Sequence, residues 1–386
     1  MQGSTAKKFA NAAFLMGITL PLLAVMWSGQ FVNTLKVAWK SPADWPTAKE
    51  VLRRSTPLWL HSVENYTWLM YSLGSSPNQR VAVIGRDGFV FLGDDFNHNF
   101  SQATGRWIYS DQQVAEWTQT FALQRAWLKT QGADMTYIVA PAKWSVYPDK
   151  LPAWAGRHKP SRTLDRLLAD SDVRSTLIDV RPNLIRARDV ADTYSPLNSH
   201  WTDYGASIAW KAIAEALAKQ DAKYAGLYVP PASGVTVRDL DNEFEWLIGL
   251  KDSNPWTMPV YKAALPAYQV IDDNGNVLNT YGGAHKTDLL DLPRSTRGLG
   301  APLPLRVLVM RDSMGNSLSP FLQAAFGETI QIDHKLGTAR QPTDLVPLVR
   351  KYRPDLVMYI VTERYLERPN AQVQRWRTLM GSAPAG

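Results

Sequence analysis

Cysteine is absent from this chain of 386 residues. Its absence excludes disulfide bonds, a thiol nucleophile and thiolate ligation of a metal. Histidine is scarce, with six copies, and no spacing of His, Asp and Glu matches a known metal site. No basic run is interleaved with aromatic residues in the way that indicates a nucleic-acid surface. We therefore expect no metal, no other cofactor and no nucleic-acid partner.

Apolar residues make up 45% of the chain, and the 15 Trp alone are a large share for a sizeable core. One apolar stretch, residues 9–27, is long enough to cross a bilayer as a helix, since roughly twenty residues are needed. Lys7 and Lys8 precede it, and positive charge there predicts a cytoplasmic N-terminus. The end of the stretch, residues 24–30, is a poor match to the A-x-A-like pattern of a cleavage site. We predict a cytoplasmic segment 1–8 and an uncleaved transmembrane signal anchor at 9–27; a cleaved signal peptide is the alternative.

The net charge of the chain is +7, partly beside the predicted anchor and otherwise dispersed. A basic surface attracts anionic polysaccharide or lipid headgroups. Ordinary solubility charge explains the value equally well, so the charge alone does not choose a partner.

Beyond the predicted anchor, short apolar runs alternate with segments of helical spacing. We interpret residues 28–80 as a juxtamembrane region and residues 81–386 as one domain, in which residues 225–300 form an insertion with β character. The predicted strands are at 81–92 (a hairpin), 135–140, 175–180, 305–310, 328–333 and 356–361, and the predicted helices at 111–131, 161–169, 203–218, 315–326, 342–352 and 370–380. This alternation predicts an α/β fold with a central parallel sheet, whose active site lies at the carboxyl ends of the strands.

Two turns carry the residue types of a nucleophilic site. Ser313 follows the strand at 305–310, and His200 precedes the helix at 203–218. A Ser at a strand-to-helix turn and a His at a loop-to-helix turn are the material of a serine nucleophile and its base. Backbone N–H groups of the turn up to Gly315 are candidates to stabilise an oxyanion, and this Gly lets a substrate approach the backbone closely. The simpler alternatives are a helix-capping Ser313 and a packed His200.

His200 lies in a polar cluster whose members can hold an imidazole ring. A general base needs a group that fixes its orientation and tautomer. Asn198 can do this through its side-chain oxygen, and Asp203 is the charged alternative, unless it caps the following helix. Lys143 follows the strand at 135–140 and is a candidate to line the same cleft and meet a polar or anionic sugar. A solvated loop lysine is the alternative.

The order of several short motifs gives the chain a family resemblance. The motifs are Gly85-Arg86-Asp87-Gly88-Phe89-Val90-Phe91-Leu92, Ala140-Pro141-Ala142-Lys143, Tyr147-Pro148, Leu151-Pro152, Ser199-His200-Trp201, Gly205-Ala206, Arg311-Asp312-Ser313 and Glu363-Arg364-Tyr365-Leu366. Over most of residues 80–366 the chain resembles the AlgX/AlgJ-type SGNH-like O-acetyltransferases, which decorate bacterial exopolysaccharides. The resemblance implies a circularly permuted SGNH-hydrolase-like α/β/α sandwich in which the His motif precedes the Ser motif. Residues 81–386 are then its catalytic domain, preceded by the transmembrane helix.

The resemblance also implies a function. It implies a membrane-anchored periplasmic O-acetyltransferase that acetylates an exopolysaccharide of alginate or cellulose type, with Ser313 as the acetyl-carrying nucleophile and His200 as the base. The protein would be a single-pass protein of the bacterial inner membrane. Its implied partners are a membrane-bound O-acyltransferase as acetyl donor and other polysaccharide acetylation and export proteins. Further candidates for contacts to the substrate or the oxyanion are Gly315, Asn316, Lys143, Arg311 and Tyr365.

One position departs from the pattern of the family. The family usually has Asp-x-His-Trp, and this chain has Asn198 in place of the Asp. An amide accepts a hydrogen bond from imidazole but does not offset the charge of imidazolium. Three outcomes stay open: an active enzyme with Asn198, recruitment of Asp203, or an impaired relative. A polysaccharide acetylesterase and a non-catalytic scaffold of an export complex are the alternative functions.

Overall fold

The computed structural model describes residues 57–155, 162–240, 242–337, 341–366 and 370–381. They belong to two units. The smaller unit contains residues 57–77 and 245–251, in which the Thr67 hydroxyl donates to the Ile248 carbonyl at 2.8 Å. The larger unit holds the remaining described residues, including the whole central sheet.

The membrane anchor predicted at 9–27 lies outside the described residues, as do the segment 1–8 and most of the region 28–80. Within the described ranges, no helix combines the length and the apolar character needed to cross a membrane. The anchor and the cytoplasmic N-terminus therefore stay predictions.

Twelve α-helices and twelve strands are defined in the described residues. The helices are α1 (Pro57–Ser72), α2 (Asn99–Ala103), α3 (Asp111–Thr130), α4 (Lys143–Val146), α5 (Arg162–Ala169), α6 (Ser171–Arg174), α7 (Arg181–Ala187), α8 (Asp203–Gln220), α9 (Glu243–Ile248), α10 (Ser319–Ala325), α11 (Leu345–Tyr352) and α12 (Asn370–Gly381). The strands are β1 (Ala82–Ile84), β2 (Val90–Leu92), β3 (Asp134–Ala140), β4 (Leu177–Asp179), β5 (Ala232–Asp239), β6 (Pro255–Tyr261), β7 (Tyr268–Ile271), β8 (Val277–Tyr281), β9 (Arg294–Gly298), β10 (Leu303–Arg311), β11 (Phe326–Asp333) and β12 (Leu356–Thr362). Short 3₁₀ turns include Ser313–Gly315 and Glu363–Tyr365.

The central sheet has eight strands in the order β4-β3-β12-β10-β11-β9-β7-β8. The first five are parallel, and β9, β7 and β8 are antiparallel to their neighbours. The prediction of a parallel sheet is thus wrong for three strands, and the sheet is mixed. The reason is that the β-rich segment predicted as an insertion at 225–300 supplies β7, β8 and β9, which continue the sheet. Their connections are short and carry no crossover helix, which antiparallel pairing permits.

Alternate side chains of the parallel strands face two apolar layers. On β12, Met358 and Ile360 pack in the layer that contains α8, whereas Tyr359 and Val361 pack in the layer that contains α3 and α11. Each fully buried side chain of this size stabilises the fold by roughly 1.5–3 kcal/mol relative to an exposed one. The two layers make the α/β/α sandwich that the alternation of strands and helices predicts.

The two helices next to the candidate site differ in how they begin. Helix α8 begins where expected, because the Thr202 hydroxyl accepts a hydrogen bond from the Gly205 N–H at 3.1 Å and caps it. The helix predicted at 315–326 is shorter, since α10 begins at Ser319 with a proline in its first turn. Ser313 therefore starts a separate 3₁₀ turn and does not cap a long helix.

Candidate active site

The candidate site lies where the neighbouring parallel strands β10 and β12 end. Arg311, the last residue of β10, is in register with Ile360 of β12. The next residue, Asp312, joins the two strand ends: its carboxylate accepts from the Met314 N–H at 2.9 Å and from the Thr362 N–H at 2.7 Å. These bonds place Ser313 at the carboxyl edge of the sheet, where α/β folds bind their ligands.

Ser313 and His200 meet at this edge. The Nε2 atom of His200 lies 2.8 Å from the Ser313 Oγ, although the two residues are 113 positions apart in the chain. Both side chains are partly exposed. The buried Trp201 fixes the approach of the two segments, because its indole N–H donates to the Met314 carbonyl at 3.0 Å. The predicted proximity of the two residues is therefore observed.

Asn198 determines which nitrogen of the His200 ring carries the proton. Its Oδ1 accepts from the backbone N–H of His200 at 3.0 Å and lies 2.9 Å from the ring Nδ1. A backbone N–H can only donate, so the atom that faces both groups is the amide oxygen. Nδ1 must then be the protonated ring nitrogen. Nε2 is left with a lone pair toward the Ser313 hydroxyl, which is the tautomer that a general base needs.

Asp203, the charged alternative to Asn198, does not contact the His200 ring. Its carboxylate pairs with the Lys286 ammonium and accepts from the Ser317 hydroxyl at 2.9 Å. It does not cap helix α8 either, because Thr202 does. Its position in the first turn of the helix turns its side chain away from His200, toward the segment after the nucleophile.

Arg311 is a brace and not a substrate contact, which corrects the prediction. It is fully buried, with 0% of its surface exposed. Its guanidinium donates to Gln331 Oε1 at 2.8 Å, to the Asp312 carbonyl at 3.0 Å, to Asn316 Oδ1 at 2.7 Å and to the Thr287 carbonyl at 2.7 Å. Burial lowers the pKa of Arg311 to about 10, with nearby carboxylates opposing this shift. Arg311 thus stays charged at neutral pH and ties the nucleophile turn to its surroundings.

Asn316 and Gly315 also contact the residues that surround the nucleophile turn. The amide of Asn316 accepts from Arg311 and donates to Asp288 Oδ2 at 2.8 Å, so both of its ends are engaged. A Cβ atom on Gly315 would come within 2.1 Å of the Arg311 Cδ. Glycine is therefore required here for packing against Arg311, and the predicted approach of a substrate to its backbone stays a prediction.

The backbone of the turn offers one amide for an oxyanion. The N–H groups of Met314, Gly315 and Asn316 donate to acceptors within the turn itself. Among the described residues, the Ser313 N–H has no acceptor. Of the amides predicted as oxyanion donors, that of Ser313 is the one available for a substrate oxygen.

Lys143 is buried under the loop that leads to His200 and does not line the cleft, which corrects the prediction. It is 4% exposed, and its ammonium donates to the carbonyls of Ser195 at 3.2 Å and Pro196 at 2.8 Å. Burial lowers its pKa to about 7, an effect that the charge of Glu243 opposes. Glu243 in turn accepts from the Ser199 N–H at 2.6 Å. Lys143 and Glu243 together hold the loop before His200.

Tyr365 lies in the loop after β12. Its ring is perpendicular to that of His334 at a centroid distance of 6.4 Å, and its hydroxyl accepts from Arg364 Nη2 at 3.2 Å. A Cβ atom on Gly337 would clash with the same ring. Tyr365 is partly exposed, and its hydroxyl is engaged by Arg364.

A buried pair supports the nucleophile turn from below. His334 Nε2 lies 3.5 Å from Asp312 Oδ2, and His334 Nδ1 accepts from the Leu336 N–H at 2.8 Å. Burial raises the pKa of Asp312, but His334 and the N–H groups of Thr362 and Met314 outweigh it and lower that pKa to about 2. Asp312 is therefore an anion at any pH at which the site could act.

The residues that the sequence did not single out fall into two groups. Trp201 and Arg364 lie inside motifs quoted above, next to His200 and Tyr365. Their position in those motifs is the sequence signal that could have identified them as functional residues. Glu243 and Lys286 both come from the β-rich segment at 225–300, where the sequence carries no motif. Within the described ranges, no group of three His, Asp or Glu residues could hold a metal ion.

Fold and geometry together define a class. An α/β/α sandwich with a Ser–His pair at the carboxyl edge of the parallel strands, and a free amide beside the Ser, is the arrangement that serine-dependent ester hydrolases and acyltransferases use. Comparison with known proteins indicates which members of this class the chain resembles. Residues 82–239 match the family described as the SGNH hydrolase-like domain of the acetyltransferase AlgX. That segment contains Asn198 and His200 and ends before Ser313.

A probable alginate O-acetylase, AlgJ of Pseudomonas putida, is 25% identical to the chain over 143 residues. The match covers 36% of this chain and 34% of the relative, so it spans about a third of that protein's length. A DHHW family protein of Eubacterium siraeum shares the fold, with a TM-score of 0.50 and 11% identity over 76% of this chain and 98% of that one. The O-acetyltransferase domain of P. putida AlgJ has a TM-score of 0.46 and 16% identity, over 77% and 99%.

The resemblance to the AlgX/AlgJ-type SGNH-like acetyltransferases that the motifs predicted is thus confirmed, with residues 82–239 matching the family. The fold of the chain is SGNH-like, with a mixed central sheet.

Proposed function

We propose that this protein is an O-acetyltransferase that acetylates hydroxyl groups of an extracytoplasmic polysaccharide, of alginate or cellulose type, through an acetyl ester on Ser313. The observation that carries the proposal is the 2.8 Å contact between His200 Nε2 and Ser313 Oγ, with Asn198 holding the opposite ring nitrogen. The AlgX-type domain match supports acetyl transfer as the reaction class.

In the first half-reaction, Ser313 Oγ attacks the carbonyl carbon of an acetyl donor and its proton passes to His200 Nε2. The carbonyl π electrons move to the oxygen, and the Ser313 N–H donates to the resulting oxyanion. The electron pair then returns, the bond to the donor's oxygen or sulfur breaks, and the leaving group takes the proton from His200. Acetyl-Ser313 and the free donor alcohol or thiol remain.

In the second half-reaction, a sugar hydroxyl replaces the donor. His200 Nε2 takes the hydroxyl proton as the sugar oxygen attacks the acetyl carbon, and it returns this proton to Ser313 Oγ as the ester to Ser313 breaks. The products are an acetylated sugar and the free enzyme. Esters react by this route without redox chemistry, so the residues described above suffice for the proton transfers.

Asn198 lowers the reactivity that this site can reach but does not abolish it. In each half-reaction His200 becomes imidazolium, and an amide oxygen stabilises that charge less than a carboxylate does. Cysteine proteases of the papain type work with an Asn in this role. We therefore propose an active enzyme and not an impaired relative.

The protein's setting is part of the proposal. We propose a single-pass anchor at 9–27 in the bacterial inner membrane, the catalytic domain in the periplasm, and a membrane-bound O-acyltransferase as the source of acetyl groups. The mass of the mature protein tests the anchor: a start near Ser28 or beyond would show that the segment is removed. Crosslinking in the producing cells, followed by mass spectrometry, tests the donor partner and any other acetylation or export proteins.

One experiment separates the candidate functions. The full-length chain is incubated with 4-nitrophenyl acetate, with and without an oligosaccharide, and the products are identified by mass spectrometry. Acetylated oligosaccharide supports the transferase, and acetate alone supports the acetylesterase, which uses the same residues with water as acceptor. The absence of any turnover supports the scaffold. Ser313→Ala is the control: it should remove turnover and acetyl-enzyme together, at a stability cost of about 1 kcal/mol, because it removes one hydrogen bond to His200.

A further inference from the structure

Two buried arginines, Arg311 and Arg364, and the partly buried Arg181 lie at or near the carboxyl edge of the sheet, and they differ in how their charge is compensated. Arg311 makes four hydrogen bonds and has none of its surface exposed. Arg181 pairs with Asp165 and Asp179 at 2.8 Å each. Arg364 is 8% exposed, and its one hydrogen bond to the described residues runs from Nη2 to the Tyr365 hydroxyl at 3.2 Å.

The remaining donors of Arg364 lack acceptors. Its Nε–H is buried without a hydrogen-bond partner, and in the described parts of the chain no carboxylate forms an ion pair with its guanidinium. The guanidinium lies over the Tyr365 ring, 4.7 Å from its centroid, which compensates the charge only in part. Although burial disfavours the charged form, Tyr365, Asp312 and Glu243 raise the pKa of Arg364. An almost buried cation with idle donors is costly unless a ligand supplies the missing anion.

The position of Arg364 shows where that anion would be. The arginine is the second residue after β12, and the Thr362 N–H at the end of this strand donates to Asp312, the residue before Ser313. The carboxylates whose charge raises the pKa of Arg364 are those of Asp312 and Glu243. Glu243 holds the Ser199 N–H next to His200. Arg364 is thus linked to a residue next to Ser313, through Asp312, and to a residue that holds the loop before His200, through Glu243.

The nucleophile turn lacks a donor that this arginine could supply. Ser313 offers the one free amide of the turn, and the side chain of Asn316 is occupied by Arg311 and Asp288. Oxyanion sites of acyl-transfer enzymes use more than one donor, and each is typically worth about 10²- to 10³-fold in rate.

We propose that Arg364 binds an anionic oxygen of the substrate beside the Ser313–His200 pair. This inference rests on the proposed acyl-transfer function. The anionic oxygen has two possible sources: the oxyanion that forms on the acetyl carbonyl, and a carboxylate on a uronic acid unit of the acceptor.

The test compares Arg364→Gln and Arg364→Lys with the wild-type chain on three reactions: hydrolysis of 4-nitrophenyl acetate, acetyl transfer to a neutral oligosaccharide, and transfer to a uronic acid oligosaccharide. If the anion is the oxyanion, Arg364→Gln lowers kcat about a hundredfold or more in all three, and Lys restores part of it. If the anion is a uronate, Arg364→Gln leaves ester hydrolysis within about twofold and raises KM about tenfold or more for the uronic acid oligosaccharide alone.

The melting temperature Tm separates an arginine that binds the substrate from one that only stabilises the fold. Because Arg364 has no protein anion to leave behind, Arg364→Gln should leave Tm unchanged or raise it. The matched control is Arg181→Gln, which strands two carboxylates and should lower Tm.

Two outcomes would overturn the inference. The first is a folded Arg364→Gln protein whose three reactions all stay within about twofold of wild type. The second is loss of the cooperative unfolding transition in both Arg364→Gln and Arg364→Met, since that would make the guanidinium structural. Failure of the proposed function itself looks different, because the wild-type protein would then show no Ser313-dependent turnover at all.

Discussion

The parallel and antiparallel halves of the central sheet contribute differently to the candidate site. Strand β12 in the parallel half is buried along its whole length, whereas β8 at the antiparallel edge is mostly exposed. Ser313 follows the parallel strand β10, and His200 comes from the loop that leads into α8. The antiparallel half supplies no member of the Ser–His pair. Its connection from β8 to β9 instead presents three residues, Lys286, Thr287 and Asp288, to the nucleophile turn.

That connection braces the turn through several polar contacts. The Thr287 carbonyl accepts from Arg311 at 2.7 Å, and the Thr287 N–H donates to the Ser319 hydroxyl at 2.8 Å. Asp288 accepts from Asn316, and Lys286 pairs with Asp203. The topology of the parallel half thus brings Ser313 to the edge of the sheet, whereas the antiparallel half fixes the nucleophile turn through these polar contacts. Substitutions on the two sides should therefore change different measured quantities.

The largest effect is expected for Asn198, on the reacting side. Asn198→Leu removes the acceptor of the Nδ1 proton and should lower kcat by on the order of 10²- to 10⁴-fold. Asn198→Asp keeps the acceptor and adds charge, so activity should be maintained or raised. Turnover with 4-nitrophenyl acetate measures both.

Asp203→Asn is the control for that series. Asp203 pairs with Lys286 and does not contact the His200 ring, so Asp203→Asn should retain activity to within about tenfold. If Asp203→Asn were the damaging change and Asn198→Leu nearly neutral, the brace would be orienting the base and the division between the two halves would fail.

The next largest effect is expected for Arg311, which joins the two halves. Arg311→Met leaves the buried acceptors of Gln331, Asn316 and Thr287 without their donor, and should lower the free energy of unfolding by about 3 kcal/mol or more. Arg306→Met on the same strand is the control. Arg306 pairs with Glu328 in a half-exposed setting, so its loss should cost less than about 1 kcal/mol. Equal urea midpoints for the two variants would contradict the assignment of Arg311 as a brace.

The acid stability of the protein should depend on Asp312. Its pKa in the folded chain is about 2, below the usual value of about 3.9 in an unfolded chain. The stabilisation by this carboxylate, on the order of 2 kcal/mol, is therefore present above about pH 4 and is lost as the pH falls through 2. Urea unfolding between pH 2 and 6 measures it. Asp312→Asn should flatten that part of the profile, and an unchanged slope in the variant would refute the proposed contribution.

The smallest effect is expected for Lys286. Its ion pair with Asp203 is partly exposed on the lysine side, so Lys286→Met should cost less than about 1 kcal/mol and should lower kcat only a few-fold. Lys351→Met removes a more exposed pair with Asp273 and is the control for general charge effects. A loss of activity for Lys286→Met as deep as that for Asn198→Leu would show that the antiparallel half takes part in the chemistry directly.

The strands of the parallel half were predictable because their central residues are buried on both faces. Short strand-like runs predicted β10, β11 and β12 to within about two residues, and helical apolar spacing predicted α3 and α8 almost as closely. Strands β7 to β9 were seen only as a β-rich segment. Their mixed composition reflects one exposed face, and nothing local specifies that they extend the central sheet.

The roles of the candidate residues divide in the same way. Ser313, His200 and Asn198 were chosen from residue type and from their place at turns, and the structure brings all three together. Lys143 and Arg311 were chosen by the same reasoning and proved to be buried supports. A cation after a strand end can point into the cleft or under a loop, and only long-range packing selects between these directions.

By itself, the sequence determined the α/β alternation, the family resemblance and the Ser–His pair, because these depend on local apolar patterns and on short motifs. The tertiary structure alone decided which neighbour holds the imidazole, which amide of the turn stays free, and which buried arginine is left with unpaired donors. Long-range contacts select among the local candidates: Lys286 holds Asp203 away from the imidazole although the two are 83 residues apart, and Ser313 meets His200 across 113 residues. Hydrogen bonding is decided over a few tenths of an ångström, and no pattern in the sequence carries that resolution.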